Sequence, residues 1–287
     1  MKNKTYTTST AFRAALEKRL KNYSTQNKVD LQEVRRRVAF ERLLCRLFIN
    51  DNSPWVLKGG YAMELRMKFS RTTRDIDLTV ISNHSPEGIS PYDGVLILDS
   101  LRKCLAKDLQ DYFVFFIGDP MASLDSPLYG GERYPITVRV DGRTFVQFHI
   151  DISLGDSPEK PFEWLKGDDW LKFVSIPTNT FPAISQEQQF SEKLHAYTLP
   201  QENRQNSRVK DLIDMILFVE QGKMDPVRLK NCVKNTFKRR KTHAVPENLP
   251  KPPEFWEKSF QTIAQKCQIN TDMLVQYKKV AQFVKSI

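Results

Sequence analysis

The stretch "KGGYAMELRMKFSRTTRDIDL", Lys58 to Leu78, decides how the chain folds and where its chemistry gathers. Its last residues open "DIDLTVI", a strict polar–apolar alternation that predicts a half-buried strand. The two-residue period puts Asp75 and Asp77 on one side and Ile76, Leu78 and Val80 on the other, where they can face a core. Two carboxylates this close repel unless a cation lies between them, and a divalent metal is the usual solution. Ahead of them, "WVLKGG" reads as a short strand ending in a glycine turn, and "YAMELRMKF" as a short helix. Gly59 and Gly60 let the backbone approach a phosphate closely and offer main-chain N–H donors. Lys58, Arg71 and Arg74 add the positive charge that phosphate binding needs. Thr73 reads equally as a plain strand-entry residue. Singly, these features fit a turn and a solvated basic face; together they outline a site.

The next strands are "FVFFIG", "YPITVRV" and "RTFVQFHIDISLG", the last two separated by Asp141-Gly142, a strong hairpin signal. In the last, Val146, Phe148, Ile150 and Ile152 form an apolar face, and Gln147, His149, Asp151 and Ser153 a polar one. If it neighbours "DIDLTVI", Asp151 joins Asp75 and Asp77. Three strand-borne carboxylates beside a glycine turn can hold one or two Mg²⁺ ions against a triphosphate and stabilise the oxygens of an in-line displacement.

Elsewhere the period is helical. "TAFRAALEKRLKNY" and "DLQEVRRRVAFERLLCRLFIN" precede the site, Asp30 capping the second, and a helix is expected across "YDGVLILDSLRKCLAKDLQDY", opening near Pro91 and Tyr92. From about Ser185 every periodic segment is helical, interrupted by a basic, proline-rich stretch, Lys238 to Pro253, expected to be an exposed loop or linker. Within this half, Arg208, Asp211 and Met215 share one helix face, with Asp214 and Lys210 beside it and Lys193 on the preceding helix. Periodicity alone favours surface ion pairs at helical spacing, worth some tenths of a kcal/mol each.

Composition narrows the class. The chain has 287 residues, 40% of them hydrophobic and 27% charged, which suits one large core or two modest ones. No apolar run approaches a membrane span, and the N-terminus lacks the pattern of a secretion signal, so a cytoplasmic protein is expected. The four cysteines, Cys45, Cys104, Cys232 and Cys267, form no paired spacing. The net charge of +10 favours polyanionic partners.

Three stretches, in order, resemble the AbiEii/AbiGii-type nucleotidyltransferase toxins: "LKGGYAMELR…SRTTRDIDL", "FHIDISLGD", and "SEKLHAY…RQNSRVKDLIDMILF". They cover roughly residues 55 to 220. The resemblance implies an α+β protein: a polymerase-β-like nucleotidyltransferase domain, a mixed sheet with flanking helices, over residues 1–182 with the N-terminal helices, then an all-helical domain over 183–287. It implies a toxin of a bacterial toxin–antitoxin or abortive-infection system, restrained by a cognate antitoxin. Its activity would be Mg²⁺-dependent transfer, with Mn²⁺ as an alternative ion, of a nucleotide from a nucleoside triphosphate to the acceptor end of tRNA, blocking translation. Carried over by residue, Asp75 and Asp77 would bind metal, Lys193 would contact the triphosphate, and Asp211 would be a further essential carboxylate. Asp151 would be a third metal ligand or the base, a role it shares as candidate with Asp211. Lys58, Gly59, Gly60, Arg71, Thr73, Arg74, Arg208 and Lys210 would line the substrate. Tyr61 stands where many nucleotidyltransferases have Ser, removing a small hydroxyl near the phosphates. The competing readings are transfer to a protein hydroxyl and a non-catalytic nucleotide- or RNA-binding module.

Overall fold

Two helices open the described chain, each started by a side-chain cap. The structure, a computed structural model, describes residues 6–50, 52–67, 69–81, 94–123, 130–153, 157–200 and 206–287. In α1 (Ser9–Asn27) the Thr8 hydroxyl accepts from the Ala11 N–H; Phe12, Leu16 and Leu20, four residues apart, make its buried stripe. In α2 (Leu31–Leu47) the Asp30 carboxylate accepts from the Gln32 and Glu33 N–H groups, as the sequence predicted. Next come β1 (Trp55–Lys58), α3 (Gly59–Arg66), β2 (Asp75–Val80), α4 (Gly94–Leu105), β3 (Phe113–Ile117), β4 (Ala122–Ser123), β5 (Gly131–Val140), β6 (Arg143–Ser153), β7 (Glu163–Lys166) and β8 (Thr180–Ala183).

Among the described residues these strands form one mixed sheet in the order β3-β5-β6-β2-β1-β8-β7, with β4 also pairing β5. β2 lies between β1, antiparallel to it, and β6, parallel to it. The β5–β6 hairpin turns at Asp141 and Gly142, both at positive φ (56° and 67°), as a two-residue primed turn requires. One sheet face carries Ile76, Leu78, Tyr134, Ile136, Phe148, Ile150 and Ile152, all buried. Phe40 of α2 packs edge-on against Phe148, ring centroids 4.7 Å apart. Asp111 is wholly buried between Arg42 and Arg46 of α2, each at 2.7 Å. Burial alone would raise its pKa, but the two guanidiniums hold it below the ordinary carboxylate value.

The chain divides into two compact units. The first draws on Met1–Leu65, Thr72–Pro158 and Trp164–Ala183; the second on Arg66–Arg71, Glu159–Glu163 and Ile184–Ile287. In the second lie α5 (Gln186–Thr198), α6 (Val209–Gln221), α7 (Pro226–Arg240), α8 (Glu257–Lys266) and α9 (Met273–Lys285). Phe190, Leu194, Ile216, Phe218, Leu229, Phe237, Phe260 and Val280 are its main buried apolar side chains. No helix of the described residues is long and apolar enough to cross a membrane.

Several expectations shift. The helix opening near Pro91 and Tyr92 lies outside the described residues. α4 stops at Leu105, short of "KDLQDY", where Gln110 and Tyr112 take positive φ that no α-helix allows. β4, β7 and β8, of two to four residues, carry too little pattern to be read ahead of the fold. The basic, proline-rich stretch is no free linker. Lys238 to Arg240 finish α7, and the Tyr197 and Tyr277 hydroxyls donate to the carbonyls of Pro250 (2.8 Å) and Leu249 (2.6 Å). Leu249 is buried.

Candidate active site

The site residues fall into two clusters, one in each unit. In the first unit the polar face of the sheet gathers them by register. Asp77 of β2 lies opposite Asp151 of β6, and Asp75 opposite His149. Lys58 of β1 lies opposite Asp77 on the other side. Directly opposed residues share a face, so the three carboxylates and Lys58 project together.

Gly59 makes the approach possible. It sits at φ +66°, and a Cβ there would lie 1.9 Å from Asp77 Oδ2. Only glycine combines that backbone with that space. The Gly60 N–H donates to Asp77 Oδ2 at 3.3 Å. The two glycines are thus the first residues of α3 and bring the helix start onto the carboxylate, in place of the expected glycine turn ahead of the helix. Thr73 is held as a strand-entry residue: its N–H donates to Glu64, its hydroxyl to the Asp75 carbonyl at 3.3 Å. Arg74 is exposed.

Arg133 of β5 completes this cluster. It lies opposite Asp151 and binds it through two parallel contacts, Nε–Oδ1 2.8 Å and a terminal nitrogen–Oδ2 2.7 Å. The same nitrogen is 3.7 Å from Asp75 Oδ2. The hydrogen bond to Asp151 raises the Arg133 pKa further above its already high value. His149 Nδ1 is 3.2 Å from Asp75 Oδ1, so this polar-face histidine touches the first aspartate of the pair.

Among the described residues no group of three or more His, Cys, Asp and Glu side chains is already converged as a metal cage. The donor set nevertheless suits a hard cation, which takes carboxylate oxygens. A guanidinium already reaches both Asp75 and Asp151, so this face accepts positive charge. Asp75, Asp77 and Asp151 are the residues that could hold the ion.

The second cluster lies within the second unit. Asp214 of α6, with no exposed surface, accepts two hydrogen bonds from Arg71 (2.8 Å each) and lies 3.1 Å from Lys193 Nζ of α5. Lys193 also donates to Asp211 at 2.8 Å, and Arg208 approaches Asp211 at 3.6 Å. Burial would lower the Lys193 pKa, but Asp211 and Asp214 outweigh it and raise it. Asp214 is pushed up by burial and, more strongly, down by Lys193 and Arg71. Three cations meet two carboxylates, an excess of positive charge that suits an anion. The expected surface pairs are here a buried network, because α6 turns Asp211 and Asp214 inward beside Leu212, Ile213 and Met215. Lys210 stays exposed.

Arg133 is the residue that sequence reasoning missed; Asp214 was placed on its helix but not assigned to the site. Counting back from the Asp141-Gly142 turn without interruption sets Asp151 against Glu132. A bulge between Val138 and Arg139 shifts the ladder by one and brings Arg133 there instead.

With this geometry the class of protein is defined. The family model of the nucleotidyl transferase AbiEii toxin, type IV TA system, matches residues 42–282, and the chain belongs to that family. Membership implies an antitoxin partner and a nucleotide substrate. Among solved structures the chain is similar to MenT4, a nucleotidyltransferase toxin from Mycobacterium tuberculosis H37Rv. The TM-score is 0.61 and the identity 15%, over 96% of this chain and 90% of that one, a likeness of fold. It also matches JHP933 from Helicobacter pylori, with TM-score 0.47 and 14% identity over 88% of this chain and 92% of that one. No curated protein matches it in sequence.

Proposed function

We propose that the protein transfers a nucleoside monophosphate from a nucleoside triphosphate to the acceptor end of tRNA, as a cytoplasmic toxin whose action blocks translation until its antitoxin restrains it. The observation that carries this reading is the sheet register: Asp75, Asp77 and Asp151 on one face, behind a glycine whose missing Cβ admits Asp77. The same reading takes residues 1–182 as a polymerase-β-like domain and 183–287 as a helical domain.

Asp75 and Asp77 would hold Mg²⁺, or Mn²⁺, with Asp151 as a third carboxylate. Bound there, the ion would neutralise the triphosphate and the charge that develops during displacement. The protein's own groups have separate tasks. Gly59 and Gly60 keep the backbone close enough for an N–H donor. Within the second unit Lys193, Arg71 and Arg208 form a cationic cluster suited to an anionic group, with Asp211 and Asp214 fixing the lysine. Lys58 neutralises charge beside Asp77. An RNA hydroxyl oxygen attacks the α-phosphorus, its proton passing to a carboxylate base, and pyrophosphate leaves. Arg133 takes one lone pair on each Asp151 oxygen and leaves a second on each for another donor.

The test is a labelling assay. The purified protein is incubated with total bacterial tRNA, Mg²⁺ and each α-labelled nucleoside triphosphate in turn. Label on tRNA from one nucleotide is the expected result. Label on protein alone, or on nothing, would refute transfer to tRNA.

A further inference from the structure

We propose that the polar face of the sheet, from the carboxylates across β6 and β5 to Phe116 of β3, is the bed on which the unpaired end of the RNA acceptor lies. The inference deepens the proposed transfer to RNA and rests on it for the direction of the strand, but its own support is geometric.

The ladder defines a continuous path. Asp75 lies opposite His149 and Asp77 opposite Asp151; His149 lies opposite Pro135, Gln147 opposite Thr137, and Thr137 opposite Phe116. Directly opposed side chains share a face, so these residues line one surface. Three strand spacings separate β2 from β3, about 14 Å.

What lines the path is unusual for a solvated sheet face. Phe116 and Val114 are 48% and 52% exposed although they sit within a strand. The Arg139 guanidinium lies over the Phe116 ring, 5.0 Å from its centroid, and Arg139 is itself exposed. Gln147 donates to the Thr137 hydroxyl at 3.0 Å and presents further polar groups between them. An exposed aromatic ring with a guanidinium beside it, on a sheet, is how proteins hold unstacked bases: the ring takes the base and the arginine the phosphate. The charge is arranged for a strand that enters at the cationic, aromatic end and finishes at the carboxylates. An apolar protein surface would be served by Phe116 and Val114 but would leave Arg139 and Arg133 facing it, and the net charge of +10 favours the polyanion.

The experiment measures binding of a short fluorescein-labelled single-stranded RNA by anisotropy, for wild type, Phe116→Leu, Phe116→Trp and Arg139→Gln, with each variant's oligomeric state checked by light scattering. Phe116→Leu is expected to weaken binding about tenfold, while Phe116→Trp retains it, because stacking needs a ring of any kind. Arg139→Gln should weaken binding and reduce its salt dependence by about one ion. In labelling, Phe116→Leu should raise KM for tRNA and leave kcat and the nucleotide KM unchanged. Equal binding by Phe116→Leu and wild type would overturn the bed, as would a change of oligomeric state in place of a change in RNA affinity. The two readings fail separately. Loss of RNA binding in Phe116→Leu with no label on tRNA from wild type would retain the bed and refute transfer. Normal tRNA labelling and KM in Phe116→Leu would do the reverse.

Discussion

The strand cluster and the helix cluster use the same ingredients, carboxylates gripped by arginine or lysine, in opposite surroundings. On the sheet face the side chains of Asp75 and Arg133 are 30% and 38% exposed. In the second unit Asp214 is wholly buried and the side chain of Arg71 only 11% exposed. Exposed pairs contribute little and exchange partners readily. Buried ones cost several kcal/mol of desolvation per ion, and breaking them strands a charge in low dielectric. Asp151 is nearly covered, its side chain 12% exposed, but the guanidinium on it keeps more than a third of its surface in water, so the first cluster trades that cation for another more readily than the second, which is tied to the stability of the helices that carry it.

The largest expected effect separates the two at once. Lys193→Ala leaves Asp211 and Asp214 short of a cation and should destabilise the protein by about 3–5 kcal/mol, read as a fall in thermal midpoint, together with loss of transfer. Asp75→Asn should abolish transfer, by about 10³-fold or more if it removes metal-assisted stabilisation of the displacement, yet leave the thermal midpoint near wild type. An Asp75→Asn variant that melts as early as Lys193→Ala would break the contrast.

Acid sharpens it further. Asp214 has its pKa lowered in the fold, so its contribution is present above the unfolded aspartate value of about 4 and lost as pH falls through the lower folded value. Lys193 is raised, so its contribution is complete below about 10 and lost only as pH climbs beyond. Between these limits the helix cluster adds no slope. Melting curves should show Asp214→Asn with a shallower acid limb than wild type below about pH 4.

The smallest effect is on the exposed side. Arg133→Gln removes the guanidinium that now reaches Asp75 and Asp151, and Mn²⁺ affinity measured by electron paramagnetic resonance should rise by about two- to fivefold, the scale of one exposed or partly exposed ion pair. Unchanged affinity would mean that Arg133 does not compete for the carboxylates.

The contrast also explains what could be read from the sequence. The alternation in "DIDLTV" and "FVQFHIDIS" fixes which side chains share a face within each strand, so Asp75, Asp77 and Asp151 were legible as candidates; their convergence depends on β2 pairing with β6, which no turn connects. Arg133 was not, because a single bulge shifts the ladder and no local pattern marks it. In the helices, a period of three and four places Asp211, Asp214 and Arg208 correctly along α6, but it does not say which stripe is buried. Lys193 and Asp211 emerged from the family resemblance, and the depth of their network only from the packing of α5 and α6. Tyr197 and Tyr277 likewise anchor the proline-rich stretch through carbonyls, which leave no trace in composition.

The most direct test of the central claim, that the strand carboxylates form the cation site, is a Mn²⁺ titration of wild type and Asp75→Asn followed by electron paramagnetic resonance, with thermal midpoints recorded on the same samples. The account predicts binding to wild type that weakens at least about tenfold in Asp75→Asn, since even residues that only support a metal ligand are worth about 10–100-fold in affinity, at an unchanged midpoint. Equal Mn²⁺ affinity in the two proteins would contradict it.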